Sequence, residues 1–164
     1  MSSVSKPVRN RRKPLEAAND AGAGLSGTAH LESLLGYNAH RAAIKLVGHF
    51  IESMTPFGLR TVSFSVLSVI SHSPGVTSRQ LCQMLHVLPP NMVFVLRELD
   101  KRGLIKRDPH PTDGRAMGLS LTPAGKKLIA QAEQAASEAD LLGSSGLSAS
   151  ERETLAQLLQ KIYL

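Results

Sequence analysis

Asn91, Arg97, Lys101, Arg102, Lys106 and Arg107 follow one another at short intervals behind Pro89-Pro90, and Asp113 and Arg115 come soon after. Side chains of these types suit recognition of a polyanion. The carboxamide of Asn91 donates and accepts at once, which matches the edge of an adenine base. Guanidinium and ammonium groups only donate and carry fixed positive charge, which suits phosphate oxygens and places Arg97, Lys101, Arg102 and Arg107 as backbone contacts. Arg79 adds a further cation upstream, and Pro90 lies where a helix carrying Asn91 would open. Each residue also has a purely structural role open to it. Asn91 can cap its helix, Arg115 can close an ion pair with Asp113, and Arg79 can simply be solvated.

Other chemistries have less behind them. A nucleophile needs a positioned base and an orienting third group, and the chain has neither a Gly-x-Ser-x-Gly elbow nor a Gly-rich phosphate loop, so no catalytic residue and no cofactor are expected. The six histidines, His30, His40, His49, His72, His86 and His110, form no i, i+4 pair and no ligand-spaced motif, so no metal is expected. The single cysteine, Cys82, lies between Leu81 and Met84 in a core-like stripe; it excludes a disulfide framework within the chain and reads as a structural thiol.

The charge pattern supports the polyanion. Nineteen Lys and Arg against thirteen Asp and Glu leave a net charge of +6 over 164 residues. Residues 1–13 hold five bases and no acids, residues 74–127 nine bases and four acids, while residues 128–164 hold two bases and five acids. The excess is regional, as a defined binding surface requires. With no Trp, four Phe and two Tyr, the chain is short of the platforms on which single-strand binders stack bases. No apolar stretch is long enough to span a membrane, and the basic start runs into Pro14-Leu15-Glu16 rather than a hydrophobic signal core, so a cytoplasmic protein is expected.

These residues need elements to position them. Residues 1–27, rich in Ser, Ala, Gly, Asn and Arg, are expected to be a disordered basic arm, in which Arg9, Arg11, Arg12 and Lys13 serve as a tether or enter a minor groove. Leu31, Leu34, Leu35, Ala39, Ala42, Leu46, Phe50 and Met54 lay one apolar stripe along a single long helix. Thr55-Pro56 predicts the start of a second helix carrying Leu59, Val62, Val66, Val69 and Ile70. After a turn at Ser73-Pro74-Gly75, Thr77-Ser78-Arg79-Gln80 has capping-box form and opens a short helix. A four-residue turn leads to the helix from Pro89, which should end at a left-handed Gly103. Leu104–Arg107 and Met117–Leu121 read as the strands of a long-tipped hairpin. Thr122-Pro123 starts a helix reaching Gly143, and Ser148-Ala149-Ser150-Glu151 caps a last one carrying Leu155, Leu158, Leu159 and Ile162.

Two short helices followed by a hairpin, in a basic part of the chain, form the order of a winged helix-turn-helix, whose second helix enters the major groove while the wing reaches beside it. The fold class expected is mainly α with a small β-hairpin wing. From about Leu31 to Ile162 the sequence also resembles the MarR-type transcriptional regulators, above all in Leu99-Asp100-Lys101-Arg102-Gly103-Leu104-Ile105-Lys106-Arg107, Asp113-Gly114-Arg115-Ala116, Leu121-Thr122-Pro123-Ala124-Gly125 and Gly146-Leu147-Ser148-Ala149-Ser150-Glu151-Arg152. The resemblance implies one domain over 28–164, with the winged part at 74–122 and dimerisation helices at 28–54 and 123–164. It implies a homodimer on palindromic double-stranded DNA and a small-molecule effector, aromatic and anionic or its thioester, that releases a repressor. Tyr37, Asn38, His40, Arg41 and Arg60 are the residues placed to meet such an effector. One departure is visible: Met92-Val93-Phe94 stand where polar residues are common in the family's recognition helix, and this apolar run offers a rival role in docking a protein. A redox- or metal-sensing regulator of the same fold is the other alternative.

Overall fold

The computed structural model describes residues 27–109 and 117–164. The expected single long first helix is instead two: α1 (Ala29–Glu32) and α2 (Leu35–Met54). The chain is extended at Leu34, and the Asn38 carboxamide donates to the Glu32 carbonyl at 2.7 Å, an acceptor at the end of α1, and to the Leu34 carbonyl at 3.0 Å, which also takes the first helical bond of α2. Pro56 opens a 3-10 turn (Thr55–Phe57) rather than the next helix, because Gly58 is left-handed and interrupts it; α3 spans Thr61–His72.

A two-residue strand that sequence did not predict, β1 (Val76–Thr77), precedes α4 (Ser78–Leu85). The expected capping box at Thr77 is present, with Gln80 N–H donating to Thr77 Oγ1 at 3.3 Å and Thr77 N–H to Gln80 Oε1 at 2.8 Å. Only His86, Val87 and Leu88 then separate α4 from α5 (Pro89–Lys101), a turn one residue shorter than expected. His86 closes α4 in the left-handed region at φ 51°. The strands β2 (Ile105–Pro109) and β3 (Met117–Leu121) pair antiparallel, and β1 adds to the other edge of β3, so the strand order is β1-β3-β2. Two long helices finish the chain, α6 (Pro123–Gly143) and α7 (Ala149–Tyr163), the latter with the expected Ser148–Glu151 capping box.

One core joins these elements. Met54, Val66, Leu67 and Ile70 meet Leu81, Met92, Leu96 and Leu99 of the two short helices, Leu119 and Leu121 of β3, and Ile129 and Ala132 of α6. The family-like motifs at Gly103-Leu104 and Thr122-Pro123-Ala124-Gly125 are physically one joint. Thr122 Oγ1 donates to the Gly103 carbonyl at 2.6 Å, accepts from Gly125 N–H at 3.1 Å, and Thr122 N–H donates to the Leu104 carbonyl at 3.0 Å. Gly103 supplies the left-handed stop at φ 66°, and a Cβ on Gly125 would collide with the Leu104 carbonyl oxygen, so both positions require glycine. This joint fixes where α5 ends and where the hairpin leaves it.

The outer helices are less covered. On α2, Leu46, Phe50 and Met54 turn inward as their stripe predicts, but Ile44, Val47 and Ile51 form a second, exposed stripe. No residue of α7 is buried, and Leu155, Leu158, Leu159 and Ile162 all face solvent. Among the described residues, no helix is long and apolar enough to cross a membrane.

Candidate nucleic-acid interface and effector cavity

The exposed cations that sequence singled out are carried mainly by α4, α5 and β2. Arg79 is exposed in the first turn of α4, Arg97 and Lys101 are exposed on α5, and Arg107 is exposed on β2. Lys101 Nζ lies 3.0 Å from Glu98 Oε1 one turn back, both groups largely solvated, which leaves the ammonium accessible. On β2, Lys106 Nζ reaches Asp108 at 2.9 Å, and the Asp108 carboxyl is held below its ordinary range by that hydrogen bond and by Ser120 on the paired strand. Pro89 and Pro90 occupy the first turn of α5, where a missing N–H costs nothing. Asp113 and Arg115, and the arm residues Arg9, Arg11, Arg12 and Lys13, lie outside the described residues.

Two residues sit differently from expectation. Arg102 stays exposed but lays its guanidinium back onto the chain, donating to the carbonyls of Phe57 at 2.7 Å and Gly58 at 2.8 Å. It thereby ties the end of α5 to the turn that follows α2, and those donors are not directed at phosphate. Asn91 does not cap α5: the N-cap is Leu88, with no side-chain hydrogen bond, and Asn91 instead lines a cavity. The apolar run Met92-Val93-Phe94 is divided by the helix, with Met92 in the core and Val93 and Phe94 exposed, so it is not one continuous docking face.

That cavity, of about 600 Å³, lies between the start of α3 and the flank of α5. Its wall includes Arg60, Val62, Asn91, Phe94, Glu98 and Arg102, closed at one end by the turn between α4 and α5. The size suits a small molecule, and the lining combines apolar surface with a few polar groups able to orient it. Of the five residues expected to meet an effector, only Arg60 borders this space. Tyr37, Asn38, His40 and Arg41 lie near the start of α2 and do not, and the Asn38 amide is engaged at the helix break. Sequence had no means of finding Phe94, Glu98 or Arg102 here, because their nearness to Arg60 and Gly58 is made by packing α3 against α5. Cys82 is half-buried against the core, in keeping with a structural thiol.

The geometry has known counterparts. The MarR family model matches residues 57–116, which hold α3, the two short helices and the start of the hairpin. A putative transcriptional regulatory protein for the hcr operon of Thauera aromatica is 35% identical over 130 residues, 79% of this chain and 78% of that protein. The transcriptional repressor CouR bound to a 23-mer DNA duplex superposes with a TM-score of 0.75 at 31% identity, covering 84% of this chain and 97% of CouR. CouR from Rhodococcus jostii RHA1 bound to p-coumaroyl-CoA gives 0.74 at 26% identity over 80% and 93% of the two chains. The Mycobacterium tuberculosis MarR family protein Rv2887 in complex with salicylic acid gives 0.64 at 30% identity over 79% and 96%. Likeness at this level runs along about four-fifths of the sequence and includes the helices outside the winged part. The chain therefore belongs to the MarR family, and it is a DNA-binding transcriptional regulator rather than an enzyme.

Proposed function

We propose that the protein is a homodimeric repressor that holds a palindromic operator with α4, α5 and the hairpin and releases it when a small aromatic anion, or the thioester of one, enters the cavity between α3 and α5. The observation that carries this reading is the shared wall: Asn91, Phe94 and Glu98 belong to α5 and also line the cavity. A molecule lodged there cannot be indifferent to where α5 lies, and an inducer must prefer the position that does not fit DNA, since equal affinity for both states shifts nothing. Exposed Arg60 at the cavity wall suits a carboxylate or phenolate, while Val62 and Phe94 suit a ring. The salicylic acid and p-coumaroyl-CoA held by the two relatives fall in the same chemical class.

Asn91 is assigned in this reading to the effector rather than to an adenine edge, and Arg102 to positioning. Arg79, Arg97, Lys101 and Arg107 contact the DNA backbone. The test is a panel of aromatic acids and their coenzyme A thioesters, scored for thermal shift and for release of operator in a gel shift. Arg60→Ala should weaken the response by about tenfold, as loss of one charge-assisted contact implies, and leave operator affinity within about twofold. A panel that neither raises the melting temperature nor releases DNA would defeat the effector reading while leaving DNA binding intact.

A further inference from the structure

The inward side of α5 is made by Met92, Leu96 and Leu99, all buried. At about 100° per residue, the side facing away from them carries Pro90, Phe94, Arg97, Glu98 and Lys101, with Val93 on one flank and Asn91 on the flank that meets the cavity. All five outward residues are exposed, and Phe94 keeps 60% of its surface in solvent. More than half of this large apolar residue therefore contributes no burial to the isolated chain. Its setting is specific: an apolar group followed along the helix by Arg97 and Lys101, of which Lys101 shares its charge with Glu98 at 3.0 Å, so the strip stays net positive, and the Asn91 carboxamide is turned away to the side. Such a strip complements a surface that is anionic at its margins and apolar at one point of its floor. The DNA major groove over a thymine has that character, because phosphates border it and the C5-methyl is the one apolar group any base edge presents there.

We propose that Phe94 is a specificity-determining residue that reads a thymine C5-methyl group in each operator half-site, with Arg97 and Lys101 on the neighbouring phosphates. The proposal rests on the operator-binding reading above and deepens it. With Arg97 and Lys101 given to phosphates and Asn91 turned to the cavity, apolar contact supplies discrimination that carboxamide or hydroxyl residues would otherwise supply. Because Phe94 also borders the cavity, the ring that meets the thymine is the ring an effector touches.

Selection from a randomised duplex library with the full chain supplies an operator. Each thymine is then replaced in turn by deoxyuridine, which removes the methyl group and leaves the hydrogen-bonding edge unchanged. The wild-type chain should bind about fourfold more weakly per half-site at one symmetry-related position, the effect of one buried methyl group. Phe94→Ala should show no loss at that position, and Phe94→Leu, which still offers an apolar contact, should retain part of it; the ring's exposure means both variants should melt near the wild type. A flat uracil scan with the wild-type chain, or an undiminished loss in Phe94→Ala, overturns the proposal and leaves Phe94 to another partner such as a protein. If the chain selects no duplex at all, the operator-binding reading fails and the proposal with it; a flat scan on a selected operator sinks the proposal alone.

Discussion

Arg102 illustrates how a basic residue in a segment rich in cations can be consumed by the fold. Its guanidinium spans 45 residues of sequence to reach the Phe57 carbonyl and also takes the Gly58 carbonyl, two parallel bonds from one planar fork. Those carbonyls belong to the last residue of the 3-10 turn and to the left-handed glycine that follows it, so the contact both satisfies the end of the turn and anchors the C-terminal end of α5. Arg102→Ala should lower the free energy of unfolding by about 1–2 kcal/mol in urea titrations, near the low end for a charged donor because the residue is exposed. Arg102→Lys should recover only a fraction of this, since an ammonium cannot hold two carbonyls in the same plane. If Arg102→Ala were as stable as the wild type but bound operator with a reduced salt dependence, the side chain would be a phosphate contact after all.

Among the elements, α7 carries the clearest dependence on solution conditions. Its first turn is held by Ser148 and Glu151, with Ser148 N–H donating to Glu151 Oε2 at 2.8 Å and Glu151 N–H donating to Ser148 Oγ at 3.3 Å. These bonds hold the Glu151 carboxyl below its ordinary 4.5, the backbone N–H being the larger cause and the Ser148 hydroxyl the next. A carboxyl whose folded value is depressed contributes stability that is complete above 4.5 and is lost as the pH falls through the folded value. Acidification should therefore fray α7 from its first turn below about pH 4.5, and Glu151→Gln, which keeps a hydrogen-bonding side chain but has no charge to lose, should flatten that part of the profile. Far-ultraviolet circular dichroism across pH 3–6, compared between the two proteins, measures it; identical profiles would place the acid sensitivity elsewhere. The other helix starts divide by mechanism. Thr77, Thr122 and Ser148 were legible as caps because a side-chain oxygen at the right spacing is a local property. Leu34, Arg60 and Leu88 cap nothing with their side chains, and the helices they precede begin where packing starts them.

For the whole molecule, the decisive feature is uncovered apolar surface on α2 and α7. Ile44, Val47, Ile51, Leu155, Leu158 and Ile162 each keep at least 40% of their surface exposed in the single chain. Stripes of this length on two helices exceed what a monomer normally leaves in water. A second copy, related by a twofold axis, would cover both stripes and set two recognition helices against one palindrome. Light scattering at micromolar concentration should give twice the 17.6 kDa chain mass. Leu158→Lys should shift the protein toward monomer and weaken binding to a two-half-site operator by at least about tenfold, since only one α5 then engages at a time. A folded wild-type monomer at that concentration would refute the dimer.

Much of the secondary structure was determined by local sequence. Helical apolar spacing, Pro at helix starts, hydroxyl caps and the left-handed Gly103 act over a few residues, so α4, α5, β3, α6 and α7 were readable to within a residue or two. What local signals cannot carry is anything that depends on residues far apart in the chain. The break at Leu34, the two-residue β1 and the 3-10 turn at Pro56 have weak propensities of their own. Strand β1 exists because Val76 finds Leu119 across the sheet. The site divides in the same way. Sequence placed Arg79, Arg97, Lys101 and Arg107 in a basic segment, because charge is a property of composition. Only the tertiary structure sent Arg102 to Phe57 and Gly58, turned Asn91 to the cavity and brought Arg60 opposite Phe94, because the direction of a side chain on a helix is fixed by which face the core takes.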